Sequence, residues 1–282
     1  MNILVTGANG QLGQELCEQL EAQGISYVGC SKRKLDVTSY EQVKKAFTNY
    51  NPDVIIHTAA YTNVDRAEQE EELAYEVNAL GAKNVANVAK EIGAKLCYIS
   101  TDYVFNGEGF VPYGETDEVS PLGVYGKTKF AGEQFVRENG DQYFIVRTSW
   151  VFGKHGQNFV KTMLRLAEER EELGVVHDQV GSPTYTHDLA LFLIELIQTN
   201  HFGTYHASNN GSCSWYEFAC TIFDSVHKNI KVNPLTTKEF PRPAPRPHYS
   251  VLGHEAIKDK GLRDFRHWKE ALQDFLVEIG AK

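Results

Sequence analysis

The chain has 282 residues, 42% hydrophobic and 23% charged, which is ample for a large core and longer than one small domain needs. A formal net charge of −9 argues against nucleic acid as a partner, because that affinity rests on clustered lysine and arginine. No stretch approaches the roughly 20 apolar residues of a membrane helix, so no membrane partner is expected.

Met1 leads straight into Ile3-Leu4-Val5, without the basic segment and long apolar run of an export signal. The five cysteines are odd in number and form no Cys-x-x-Cys pair, which argues against a disulfide framework or structural zinc. A reducing, cytoplasmic setting is the expectation.

Ile3–Thr6 is the first predicted strand. Thr6-Gly7-Ala8-Asn9-Gly10-Gln11-Leu12-Gly13 follows it and opens a helix marked by the stripe Leu12, Leu16, Leu20. Gly7 permits a tight turn, Gly10 lets the backbone approach a pyrophosphate, and Gly13 lets the helix pack close to the strand. The helix N-terminus adds free amides and the positive end of a dipole. Gly7, Asn9, Gly10, Gln11, Leu12 and Gly13 are the candidate dinucleotide cradle; a glycine-rich turn is the plain alternative.

Ser26–Cys30 is the second predicted strand. An acidic residue at its end would hold the ribose hydroxyls of NAD. The chain instead offers Ser31-Lys32-Arg33-Lys34, and its first nearby carboxylate is Asp36. Lys32 and Arg33 beside a ribose would favour a 2′-phosphate, hence NADP, with NADPH preferred over NADH; a solvated basic turn is the competing reading.

Val54–His57, Leu96–Ser100 and Phe144–Arg147 complete five short apolar runs, each read as a strand buried on both faces. Val77, Leu80, Val85, Val88, Ala89 and Ile92 mark a covered helix closed by Gly93. The alternation predicts an α/β fold of Rossmann type, a doubly wound parallel sheet with right-handed crossovers.

Ser100-Thr101-Asp102-Tyr103 ends the fourth strand, where open parallel sheets bind ligands. Thr101 is placed to polarise a carbonyl, or else to cap a local turn. Tyr125-Gly126-Lys127-Thr128-Lys129 opens a helix through Arg137, with Tyr125 and Lys129 on one face. A free tyrosine titrates near 10 and a neighbouring ammonium lowers that value, which suits general acid–base work. An exposed helical pair is the bland alternative.

The second half is less regular. Phe159–Glu168 and Leu189–Thr199 read as helices with a short strand at Val175-Val176 between them, and Trp268 to Ile279 as a closing helix. The proline-rich run from Pro241 to Pro247 reads as a loop, plain or ligand-lining.

These motifs, with Leu35-Asp36-Val37-Thr38, His57 to Asp65, Val77-Asn78-Ala79, Ser100 to Phe105, Arg147-Thr148-Ser149-Trp150 and Asp178 to Thr184, resemble the extended short-chain dehydrogenase/reductases. Within that superfamily they look most like the branch that reduces the 4-keto group of dTDP-4-dehydro-L-rhamnose. The resemblance implies that Tyr125 protonates the alkoxide, Lys129 holds the nicotinamide ribose and Thr101 binds the keto oxygen of a dTDP-sugar. It implies Val64, Asp102, Tyr103 and Trp150 around the sugar, although Trp150 also suits a core aromatic. Asp36 and Val37 would meet the adenine, and Ala59, Ala60 and Tyr61 the middle of the cofactor. Arg242 and Arg246 are candidates for the substrate's pyrophosphate, since guanidinium forks suit phosphate.

The implied organisation is a nucleotide-binding domain at 1–150 with a returning part near 178–200, and a smaller, interleaved substrate lobe at 151–177 and 201–282. Some members are dimers bridged by magnesium through glutamates. Here Glu270 and Glu278 are the C-terminal candidates, and they suit a solvated helix face equally; no metal is expected, and monomer or homodimer stays open. Related dehydratases carry a glutamate where Tyr103 stands, which argues against elimination. An epimerase or a non-catalytic regulatory subunit of the same fold are the remaining rivals.

Overall fold

The computed structural model describes all 282 residues. β1 (Ile3–Thr6), α1 (Gln11–Ala22), β2 (Tyr27–Cys30), α2 (Tyr40–Tyr50) and β3 (Val54–His57) come first. The turns α3 (Val64–Ala67) and α4 (Glu71–Tyr75) lead through a π-helical segment at Glu76–Leu80 into α5 (Gly81–Ile92). β4 (Lys95–Thr101), a 3-10 turn at Asp102–Val104, α6 (Val124–Glu138) and β5 (Tyr143–Thr148) follow.

The second half contains β6 (Val151–Phe152), α7 (Phe159–Glu169), β7 (Glu172–Val176), β8 (Val180–Gly181), β9 (Thr184–Tyr185) and α8 (Thr186–Ile197). It ends with β10 (Gly203–His206), β11 (Cys213–Ser214), α9 (Trp215–Ser225), β12 (Lys231–Leu235), α10 (Glu255–Asp259) and α11 (Trp268–Glu278). No helix is long and apolar enough to cross a membrane.

The six strands β10-β5-β4-β3-β1-β2 form one parallel sheet. The chain moves outward from β1 to β2, then returns through α2 to β3 on the other side of β1. Strand order therefore reverses between β1 and β3, which opens a crevice at their carboxyl ends. Alternation along β1 explains the two-sided burial: Ile3 and Val5 pack with Leu12, Leu16 and the α8 residues Leu189 and Leu193. Leu4 faces the opposite way, against Val43, Phe47 and Val85. Gly93 ends α5 at φ 72°, the left-handed cap its position predicts.

Two expectations need correction. β2 is not buried on both faces: Tyr27, Val28 and Gly29 are half-exposed, because it is the sheet edge and residues 31–38 form turns rather than another strand. The division of the second half also differs. β8 and β9 pair with β11 and β6, whereas β10 adds to the main sheet beside β5, so the returning part is α8 and β10, past residue 201. Gly-Thr-Tyr-His lacks the apolar run of an interior strand, and it pairs only as an edge. A separate core of Phe152, Val160, Phe218, Ile222, Trp268 and Phe275 holds the other lobe together.

Candidate active site

A cavity of about 700 Å³ lies at the carboxyl ends of β1, β3 and β4, between α1 and α6. Gly7 sits at φ 66°, and a Cβ there would come within 2.6 Å of the Ala59 amide nitrogen. A Cβ on Gly13 would reach the Gly7 carbonyl oxygen at 2.3 Å, so α1 can approach only with glycine there. Gly10 differs: a Cβ would meet only the Gly7 oxygen, at 3.1 Å, and otherwise open space. Gly10 caps α1 without any side-chain hydrogen bond, which leaves the first turn available to an anion. This cradle fits the pyrophosphate of a dinucleotide.

The cradle is fixed from both sides. Thr6 Oγ1 and His57 Nδ1 are 2.7 Å apart, and Thr58 Oγ1 donates to the Thr6 carbonyl at 2.6 Å. Gln11 Nε2 donates to the Val151 carbonyl at 3.2 Å, and Asn158 Nδ2 donates to Gln11 Oε1 at 2.9 Å, tying the loop to the second lobe. Asp36 Oδ1 accepts from the Thr38 amide and hydroxyl at 3.0 and 2.8 Å. Val37 packs where a Cβ on Gly81 would meet it at 2.9 Å. Asn9, Leu12, Lys32, Asp36, Val37, Ala59, Ala60 and Tyr61 all line the cavity, whereas Arg33 is exposed and does not.

α6 begins before Tyr125, and its glycines let it press against the strand end. A Cβ on Gly126 would lie 2.2 Å from the Tyr103 carbonyl oxygen, and one on Gly132 2.3 Å from the Tyr98 hydroxyl. Tyr125 and Lys129 therefore share the cavity wall with Thr101. Thr101 Oγ1 donates to Asp102 Oδ1 at 3.1 Å and accepts from the Tyr103 amide at 3.2 Å. The Tyr103 ring stands edge-on to Tyr125, 5.9 Å between centroids.

The expected lowering of Tyr125 by an ammonium is not what the site shows. Burial pushes the phenol up to about 12, with the Thr101 side chain pulling it back through hydrogen bonding. Lys129 responds instead, brought down to about 7 by burial against the weaker pull of Glu133. Desolvation wins because Lys129 has no carboxylate partner. Its Nζ lies 4.2 Å from the Tyr98 ring centroid, and Glu133 accepts from Arg147 at 2.9 and 2.8 Å and from Ser100 at 2.6 Å.

Trp150 adopts φ 47° and lies flat on Trp215, with centroids 3.5 Å apart and planes 7° apart. A Cβ on Gly181 would strike its indole ring at 2.6 Å. Val64, Asp102, Tyr103 and Trp150 line the cavity, but Arg242 and Arg246 do not. Both are held by Asp65, Arg242 at 2.5 Å and Arg246 at 2.9 Å, because an isolated carboxylate nearby satisfies two forks at once. Trp215 and Gln157 also line the cavity. Gln157 carried no chemical signal in the sequence, and Trp215 reaches the site from a distant segment.

The two glutamates that the resemblance suggested for magnesium both lie on α11. Glu270 is exposed, and Glu278 accepts from the Tyr185 hydroxyl at 2.5 Å and pairs with Lys154 at 3.1 Å. Glu15, Glu18 and His155 bring ligand atoms within 4.8 Å of one another, yet the Lys154 ammonium already meets Glu18 at 2.6 Å.

A reversed-order parallel sheet, a glycine cradle and a Thr–Tyr–Lys cluster define a dinucleotide-dependent short-chain dehydrogenase/reductase of the extended type. The model of the family "RmlD substrate binding domain" matches residues 1–280, and the chain belongs to that family. It is 47% identical over 276 residues to the spore coat polysaccharide biosynthesis protein SpsK of Bacillus subtilis, covering 98% of this chain and 97% of that protein. It is 41% identical over 281 residues to a dTDP-4-dehydrorhamnose reductase of Mycolicibacterium smegmatis, covering 98% and 85%. The crystal structure of dTDP-4-dehydrorhamnose reductase from Bacillus anthracis, in complex with NADP, superposes with a TM-score of 0.96 at 49% identity, covering 98% of this chain and 99% of that one.

Proposed function

We propose that the chain reduces the 4-keto group of dTDP-4-dehydro-L-rhamnose to dTDP-L-rhamnose, with NADPH as reductant, in the cytoplasm. The observation that carries this reading is the meeting of Thr101, Tyr125 and Lys129 in one cavity with the glycine cradle. Likeness to named reductases along nearly the whole chain supports it.

A bound nicotinamide would supply the hydride. The chain's own groups do the rest: Thr101 orients the keto oxygen, Tyr125 gives it a proton, and Lys129 holds the nicotinamide ribose. Trp150, held by its stack on Trp215 and by close contact with Gly181, forms a rigid wall for the sugar. Lys32 at the cavity rim favours a 2′-phosphate, hence NADPH over NADH. Tyr103 offers no carboxylate for elimination, which separates this site from a dehydratase.

The test mixes the protein with dTDP-4-keto-6-deoxy-L-mannose and NADPH and follows absorbance at 340 nm. Stoichiometric loss of absorbance supports reduction. An epimerase, which keeps its cofactor, would give none, and a regulatory subunit would be inert.

A further inference from the structure

We propose that Asn158 is a positioning residue that makes cofactor and sugar binding cooperative, by locking the first turn of α1 to the segment that carries Trp150. This inference deepens the reductase reading above and rests on it for the identity of the two ligands. Gln11 opens α1, and the amides of that first turn are the donors offered to a pyrophosphate. Its side chain reaches the other way, into the second lobe. Nε2 donates to the Val151 carbonyl at 3.2 Å, and Oε1 accepts from Asn158 Nδ2 at 2.9 Å. Only one orientation of the Gln11 amide satisfies both partners. Turned over, it would set N–H against N–H and oxygen against oxygen.

Asn158 uses its whole side chain. Oδ1 caps α7 by accepting from the Lys161 amide at 3.1 Å, and Nδ2 also donates to the Gly153 carbonyl at 2.8 Å. Serine, threonine or aspartate would cap α7 as well, but none carries two N–H donors. The amide is needed for the bridge to Gln11, not for the cap.

A closed circuit of contacts runs from this bridge round the site. Asn158 leads directly into Phe159, whose ring centroid lies 4.6 Å from that of Trp215. Trp215 stacks on Trp150 at 3.5 Å, and Trp150 leads directly into Val151, which returns to Gln11. The pyrophosphate end and the sugar wall are therefore fixed by the same few contacts. A ligand at either end holds the circuit in register, and the second ligand then meets a segment already ordered. A separate tie, Lys154 to Glu18 two turns along α1 at 2.6 Å, joins the lobes without Asn158.

The experiment measures NADPH affinity by fluorescence, with and without saturating dTDP-L-rhamnose, for the wild type and Asn158→Ser. Both ligands are in their reduced form, so no turnover intrudes. Calorimetry of dTDP-L-rhamnose with and without NADPH reads the coupling from the other side, where linkage requires an equal factor. In the wild type each ligand should tighten the other about five- to tenfold. In Asn158→Ser, whose hydroxyl still caps α7, that factor should fall to about one. Its melting temperature and its NADPH affinity without sugar should stay near the wild type, because the backbone cradle is untouched. Gln11→Met, which keeps the backbone amides but neither side-chain bond, should lose the coupling too, and the double variant should lose no more. Independent binding in the wild type, or the wild-type factor retained in either variant, overturns the proposal and leaves Asn158 a helix cap. If NADPH binds the wild type but dTDP-L-rhamnose does not, the reductase reading falls and the coupling with it.

Discussion

The Lys129 ammonium rests 4.2 Å from the centroid of the Tyr98 ring with no carboxylate of its own, since Arg147 claims Glu133 one turn on. An unfolded chain keeps that proton to its ordinary range, whereas the folded, cofactor-free chain releases it above about 7. The unfolded state thus binds more protons, and stability rises as pH climbs from about 7 towards the ordinary lysine range. Lys129→Met removes the buried charge. At neutral pH its cofactor-free thermal midpoint should rise by ~2–4 °C, with a flatter pH dependence on the alkaline side, while turnover collapses. Calorimetry of the two proteins checks this, and a lower midpoint in the variant would contradict it.

Tyr125→Phe should cut turnover by about 10² to 10⁴, the usual worth of a positioned acid. Cofactor affinity should barely change, because the cradle and Lys129 stay in place. Stopped-flow rates beside a fluorescence titration of NADPH separate the two effects. Near-normal turnover would remove Tyr125 from the proton-donor role.

Gly10 and Gly13 should fail in different ways. In Gly13→Ala the new methyl meets the Gly7 carbonyl at 2.3 Å, so stability and cofactor binding should fall together. In Gly10→Ala the contact is 3.1 Å and the remaining space belongs to the ligand. Its melting temperature should therefore stay near the wild type while NADPH affinity drops about tenfold or more, on the scale of 1.4 kcal/mol per decade. Equal destabilisation of both variants would mean that Gly10 serves the fold.

Lys32→Ala tests the choice of cofactor. The KM for NADPH should rise severalfold and that for NADH should not move, because only the former carries the 2′-phosphate that an ammonium at the rim would meet. Arg33→Ala, at an exposed residue outside the cavity, serves as the control with little effect on either.

The sugar wall can be displaced without touching a cavity residue. Gly181→Ala drives a methyl into the Trp150 indole at 2.6 Å. Overpacking of this kind costs about 1–3 kcal/mol. The substrate KM should rise and the near-ultraviolet circular dichroism of the Trp150–Trp215 stack should change, with the NADPH dissociation constant steady. An unchanged substrate KM would place the sugar away from Trp150.

The cradle, the interior strands and the Tyr–Lys spacing were legible in the linear chain because each depends on local rules. Gly7 needs a left-handed turn immediately after a strand, the apolar runs of β1 and β3 report burial on both faces, and four residues make one helical turn. Long-range pairing is different. The return of β10 to the sheet, the seating of Trp215 on Trp150 and the capture of Arg242 by Asp65 join residues far apart in sequence. No local pattern encodes those partners, and nothing in the proline-rich run by itself points Arg242 to Asp65.

Protonation was also beyond the sequence. Tyr125 and Lys129 read as a phenol lowered by a neighbouring cation, and the fold reverses the emphasis. Burial raises the tyrosine and lowers the lysine, because removing a group from water outweighs an unneutralised neighbour. Residue type and spacing determined which groups meet at the strand ends. Only tertiary packing decided how much water each one keeps, and therefore which of them holds a proton.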